Sequence, residues 1–376
     1  MESRRSRNAA LLAVLLAPLV ASADGGPGSP APGGTSASVS AGDPKRKPLP
    51  FRGSTLIFDQ STSPESLFAG AQQSRLPSYQ WWISFRPRWY FTDKLSLRGR
   101  VDLTLEWLNS VDTTKLREPT WGDVWTELSY SGIPKVVGVQ TTVGLRALWP
   151  SSLGSQMRNY IVQLGLNVGL QREFKSKAGT FELTLSVAGT HPFATATSGG
   201  LANGATYDCT STEFSPTVCG QNLTLMNSKF NLMTTFGARY APIEQLSINV
   251  AYVLLDAWAY DTPDVTLTDR TGGTTVVPHS PNDQRFRQNG WFLASVDWEV
   301  RKWMELSLGY YVFRPILNPD STIGNPFWSP GGNSRVFLSV TFPIDRVYEA
   351  IRDRVNANRK PTEQAAMARA ETAPLP

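Results

Sequence analysis

The sequence predicts an all-β protein, an antiparallel up-and-down β-barrel of about twelve strands that crosses a membrane. Three observations lead there. Apolar and polar residues alternate with period two over long segments. The connections between those segments are short and long by turns. Aromatic residues gather at the segment ends.

The clearest segment is 94–108. Leu95, Leu97, Gly99, Val101, Leu103, Leu105 and Trp107 share one face, and Ser96, Arg98, Arg100, Asp102, Thr104 and Glu106 share the other. Strict alternation places successive side chains on opposite faces of a strand. Its length exceeds the usual strand of about 5–6 residues and reaches the ~9–11 that a tilted strand needs to cross a bilayer. The same pattern predicts strands near 53–60, 79–91, 94–107, 121–131, 137–148, 158–172, 179–191, 223–240, 246–258, 288–300, 304–314 and 333–342. The first is the weakest, because Thr55-Leu56-Ile57-Phe58 is short. An even number of strands, with both ends of the barrel on the same side, supports counting it.

Short links fall at 91–94, 132–135, 175–178, 241–244 and 300–303; the links at 61–78, 108–120, 149–157, 192–222, 259–287 and 315–332 are mostly longer. Short turns on the periplasmic side and long loops outside are the expected signature of such a barrel. The aromatics are Trp81, Trp82, Trp89, Tyr90 and Phe91 around one strand, with Trp107, Trp121, Trp125, Trp149, Trp258, Trp291, Trp298 and Trp303 near other ends. Amphipathic rings favour the headgroup level, so these predict girdles.

The N-terminus carries an export signal. Arg4, Arg5 and Arg7 precede the apolar run from Ala9 to Val20, and Ala21-Ser22-Ala23 gives a small-residue cleavage site. These parts in this order read as a signal peptide over 1–23. Its removal takes three basic residues and Glu2 with it, lowering the formal charge from +5 to +3. That balance, with no basic block interleaved with aromatics, excludes nucleic acid as a partner. Residues 24–52 are rich in Gly, Pro, Ala and Ser and read as a flexible periplasmic tail. Charged residues are only 18% and no apolar run of 18 residues exists, which excludes a helical membrane protein. Cys209 and Cys219 lie in one polar stretch, and an even count in an exported chain predicts a disulfide that staples an outer loop.

From 53 to 342 the chain resembles bacterial outer-membrane β-barrels, as a class rather than as one family. The last strand, Arg335-Val336-Phe337-Leu338-Ser339-Val340-Thr341-Phe342, is similar to the terminal signal of that class, which the resemblance implies is read by the barrel-assembly machinery. It departs from the pattern because 34 residues follow Phe342. In this extension, 343–376, Pro343 can open a helix and Ile344, Val347, Ile351 and Val355 form one apolar stripe. The stripe could pack on the periplasmic mouth, enter the lumen or meet a periplasmic partner; a solvated helix is the alternative.

No catalytic constellation is visible, and no metal or cofactor is called for. The two histidines, His191 and His279, lack the Ser neighbour of a phospholipase-like site. Asp261 and Asp264 would reach His279 only through loop folding. The polar register instead predicts a lumen lined by Arg86, Arg88, Arg98, Arg100, Asp102, Glu106, Glu127, Arg146, Glu182, Arg239, Asp297, Glu299 and Arg335, with Gln140, Gln163, Asn167, Asn231 and Asn249 between them. A tight turn at Thr92-Asp93 sets Arg88 opposite Arg98 and Arg86 opposite Arg100 in the periplasmic half. Pro87 predicts a local bulge there. Guanidinium groups suit carboxylate and phosphate. A twelve-stranded lumen lies between the filled eight and the open sixteen. The expectation is therefore an outer-membrane channel for passive diffusion of small solutes, anions among them. The alternatives are a closed structural or adhesive barrel acting through its outer loops and, further off, an outer-membrane enzyme.

Overall fold

The structure, a computed structural model, describes residues 48–67, 79–107, 117, 119–197, 227–260, 265–268, 274–277, 286–317, 322–329 and 334–371. Sixteen strands build it: β1 Thr55–Thr62, β2 Tyr79–Arg86, β3 Arg88–Tyr90, β4 Leu95–Glu106, β5 Pro119–Trp121, β6 Val124–Tyr130, β7 Val139–Trp149, β8 Tyr160–Ser176, β9 Gly179–Ala194, β10 Ser228–Ile243, β11 Leu246–Ala259, β12 Val265–Thr268, β13 Thr274–Val277, β14 Phe286–Arg301, β15 Met304–Pro315 and β16 Ser334–Pro343. Helix α1 spans Leu153–Met157 and α2 spans Ile344–Glu371. β2 and β3 are one stave interrupted at Pro87, β5 and β6 are another, and β12–β13 form a separate hairpin. Twelve antiparallel staves remain.

The weak first strand closes the ring. β1 pairs with β2 on one side and with β16 on the other, Thr55 lying opposite both Arg86 and Pro343. Closure removes the sheet edges, so every ladder group finds a partner without water. At the β8/β9 turn Gly179 sits at φ 129°, and a Cβ there would lie 2.4 Å from the Ala241 carbonyl oxygen, so glycine is required.

The barrel is apolar outside and polar inside. Leu145, Leu166 and Leu308 point outward and are 57%, 67% and 60% exposed, whereas Ser84 and Glu127 point inward and are fully buried. In water this arrangement would leave a broad apolar band uncovered; in a bilayer that band is the solvated face. At the long-loop end one segment folds back over the band. Phe327 meets Phe292 edge-on at 5.0 Å, and Trp328 stacks on Tyr310 at 6.2 Å. Val312, outward by parity, is consequently buried.

The extension is helical over 28 residues, and its first turns are docked at the short-turn end. The Ile344 amide donates to the Ser54 carbonyl at 2.8 Å, and Tyr348 packs edge-on against Phe51 at 5.7 Å. Arg346 Nη1 reaches Glu299 Oε2 at 2.8 Å and the Lys302 carbonyl at 3.2 Å. Of the apolar stripe, Ile344 and Val347 are half-buried while Ile351 and Val355 are exposed, so within 344–357 it is the first turns of α2 that meet the barrel. The substitution Arg346→Ala is expected to free α2 and speed its cleavage by trypsin, with the barrel left folded; unchanged cleavage would mean that the backbone bond at Ile344 suffices.

Candidate functional site

The hairpin of arginines is assembled by register. Arg88 stands opposite Arg98, and Phe85 opposite Val101. The same register runs through Pro87, where the Gly99 amide donates to the Pro87 carbonyl at 2.8 Å. The bulge expected at Pro87 is therefore absent. The proline forfeits its own amide donor but leaves the pairing in step, and Gly99 leaves room for the ring, a Cβ there lying 3.2 Å from Pro87 Cγ.

Arg86, Arg88, Arg98 and Arg100 all face the interior, close to the short β3/β4 turn. Trp82 lies between two of them, with the Arg86 and Arg100 guanidinium carbons 5.5 and 5.2 Å from its ring centroid. Arg88 lies over the Tyr90 ring at 4.6 Å. Ring quadrupoles attract these cations and offset part of their mutual repulsion. Trp82 and Tyr90 were expected in the girdles, as were Trp125 and Trp291. The structure turns all four inward: Trp125 carries Arg146 at 4.8 Å, and Trp291 is buried beside Tyr311. Parity explains this, since 82 and 90 share the register of 86 and 88.

Glu127 is the hub of the arginine wall. Fully buried on β6, it accepts from Arg98 on β4 through Oε1 and from Arg146 on β7 through Oε2, at 2.9 Å from Nε and 2.7 Å from Nη2. Asn167 Nδ2 lies 3.5 Å from the same oxygen. The carboxylate occupies space opened by Gly144, where a Cβ would lie 2.7 Å from Glu127 Oε1. Gly144→Ala is therefore expected to displace the hub and lower stability by about 1–3 kcal/mol, the usual cost of overpacking; a heat-denaturation midpoint equal to that of the parent would refute the steric argument. Arg100 pairs with Asp102 at 2.5 Å, and Arg335 Nη1 donates to Gln80 Oε1 at 2.6 Å. Glu106 is buried beside them, opposite Gln80.

The facing wall carries the remaining predicted residues. Asn249 Nδ2 donates to Asp297 Oδ2 at 2.5 Å. Arg239 stands opposite both Glu182 and Asn249 in the ladder. Arg239, Asp297, Glu299 and Arg346 line an open cleft at the short-turn mouth, together with Glu305. Glu305 was not anticipated, nor was Asp59 on β1, which faces inward within electrostatic reach of Arg335 and Arg86. Both share parity with recognised inward neighbours, so the signal was there. Each named ion pair inside the barrel joins neighbouring strands or residues two apart on one strand.

His191 points outward at the end of β9, its Nδ1 2.5 Å from the Lys229 carbonyl oxygen and its ring against Phe193. His279, Asp261, Asp264, Cys209 and Cys219 lie outside the described residues, as do the signal region and the tail to 47. Among the described residues no cluster of His, Cys, Asp and Glu could hold a metal ion.

No protein-family model matches the chain, and no curated protein sequence matches it. Solved structures do. An outer membrane channel from Pseudomonas putida F1 is 12% identical, with a TM-score of 0.44 over 80% of this chain and 98% of that one. The NanC porin is 9% identical, with a TM-score of 0.37 over 77% and 98%. The outer membrane phospholipase A from Escherichia coli is 10% identical, with a TM-score of 0.35 over 77% and 95%. At these scores each is a likeness of barrel to barrel, and none lends this chain a residue or an activity.

Proposed function

We propose that the protein is an outer-membrane channel through which small polar solutes diffuse passively, with anions favoured. The carrying observation is a closed barrel whose interior carries many polar and charged side chains and whose Arg86 and Arg88 make no direct ion pair among the described residues and lie against hydroxyls and rings. Arg86 Nε donates to Ser84 Oγ at 3.2 Å, and Arg88 Nε to Ser96 Oγ at 3.4 Å. Charge held on the wall of a narrow lumen acts on the whole cross-section. Export through a cleaved signal peptide and insertion by the barrel-assembly machinery belong to the same proposal. Catalysis is not part of this proposal.

Planar-bilayer recordings test it. Purified protein should give discrete conductance steps and an anion-favouring reversal potential under a salt gradient. The absence of conductance, both in the full chain and in one ending at Pro343, would defeat it. The second reading, a closed barrel acting through its outer loops, draws support from the deep burial of Ser84, Asp102, Glu127 and Arg335, and would then take its place.

A further inference from the structure

The interior is filled unevenly. On β2, β4, β6, β14 and β16 many of the inward polar side chains are sealed, Arg98 and Glu299 being exceptions: Ser84 and Glu127 are 0% exposed, Asp102 7%, Ser295 8%, Asp297 5% and Ser339 6%. On β8, β9 and β10 the inward Gln163, Asn167, Thr184, Ser186, Asn231 and Thr235 are all partly exposed. Height does not explain the difference, because Ser186 and Ser295 stand at similar distances from the short turns that begin β9 and end β14.

Side-chain size does explain it. The sealed side sends Trp82, Trp291, Tyr311, Phe337 and the long arginines into the lumen, packed ring on ring and ring on guanidinium. Over its middle the other side presents short hydroxyls and amides, with Thr235 directly opposite Ser186 in the ladder and the charged pair Glu182 and Arg239 nearer the short turns. Groups reaching in from one wall leave the remaining cross-section beside the opposite wall.

We infer that the solute path is eccentric and runs along β8–β10, so that beyond the Glu182 and Arg239 pair near the short turns the surface a solute touches is neutral and hydrogen-bonding, while the arginine wall acts on it only through its field. Such a surface exchanges hydration water for hydroxyl and amide contacts at little cost. It suits small hydrated solutes bearing hydroxyl or amide groups and offers nothing to apolar ones. The inference rests on the channel reading.

Single cysteines test it in the full chain. Ser186→Cys and Thr235→Cys are compared with Ser84→Cys and Ser295→Cys, using a small charged methanethiosulfonate, the parent chain serving as the blank for its own cysteines. Labelling is read by mass and conductance in bilayers. The sealed positions should react roughly tenfold more slowly, the factor that a local opening cost of about 1.4 kcal/mol imposes. Labels at 186 and 235 should reduce the single-channel current. Equal or reversed labelling in a conducting parent overturns the path alone. A parent that never conducts overturns the channel reading, and the path with it.

Discussion

Replacing Glu127 with Gln is expected to cost the folded barrel about 3 kcal/mol, at the lower end of the ~3–5 kcal/mol seen when one partner of a buried ion pair is removed. Glu127 is fully buried, and its two oxygens compensate Arg98 and Arg146. Glutamine keeps the shape and loses the charge, which leaves two guanidinium groups facing one amide. Arg98 and Arg146 retain side-chain exposures of 33% and 19%, so water relieves part of the penalty and the upper end of the range is not reached. The measurement is the temperature at which the folded form is lost in detergent. A companion variant separates charge from shape. Glu127→Leu combined with Arg98→Met and Arg146→Met removes the buried charges together and should recover much of the loss, because apolar groups of similar volume replace a buried ionic cluster at little net cost. If Glu127→Gln melts with the parent, the hub is ornamental and the wall is held by its aromatic contacts.

Parity made most of this architecture legible. A side chain two residues from Ser84 must share its face, and this placed Arg86, Asp102, Glu127, Arg146 and Arg335 without any structure. The same rule covered Trp82 and Tyr90, yet their aromatic character drew them to the girdles; inside this barrel, the ring's attraction for a guanidinium governs. Asp59 was missed because β1 is short and its apolar start, Leu56 to Phe58, hid the alternation. Pro87 signals a bulge when read alone, but its partner across the ladder is Gly99, whose missing side chain lets the strands stay in step. What no reading of single strands supplies is which staves face each other across the lumen. The contrast between the sealed side and the accessible β8–β10 side depends on long side chains from distant parts of the chain converging in one cross-section. The cysteine pair and His279, which the sequence assigns to outer loops, lie outside the described residues.

The hairpin arginines divide by their partners, and that division predicts different outcomes. Arg98 and Arg100 are directly paired with Glu127 and Asp102, whereas Arg86 and Arg88 make no direct ion pair among the described residues and are held by Ser84, Ser96 and aromatic rings, with Asp59 and Asp102 acting on Arg86 at longer range. The pair Arg86→Gln and Arg88→Gln therefore removes two positive charges from the lumen while leaving the direct ion pairs of Glu127 and Asp102 in place. Two charges acting over about 8 Å contribute together about 1 kcal/mol in a water-like medium, so entry of an anion should fall roughly fivefold and, because the cation shifts the opposite way, the preference for anions over cations should fall by up to about 30-fold. The effect should be largest at low salt and fade near 1 M, where the screening length shrinks to about 3 Å. Neutralising all four arginines should shift selectivity further away from anions, and should also lower the melting temperature, because Glu127 and Asp102 then lose partners. Reversal potentials at two salt concentrations, with melting measured on the same preparations, separate the two roles. If the double variant leaves selectivity unchanged and destabilises the barrel, Arg86 and Arg88 are structural, and the anion preference must be sought elsewhere along the lumen.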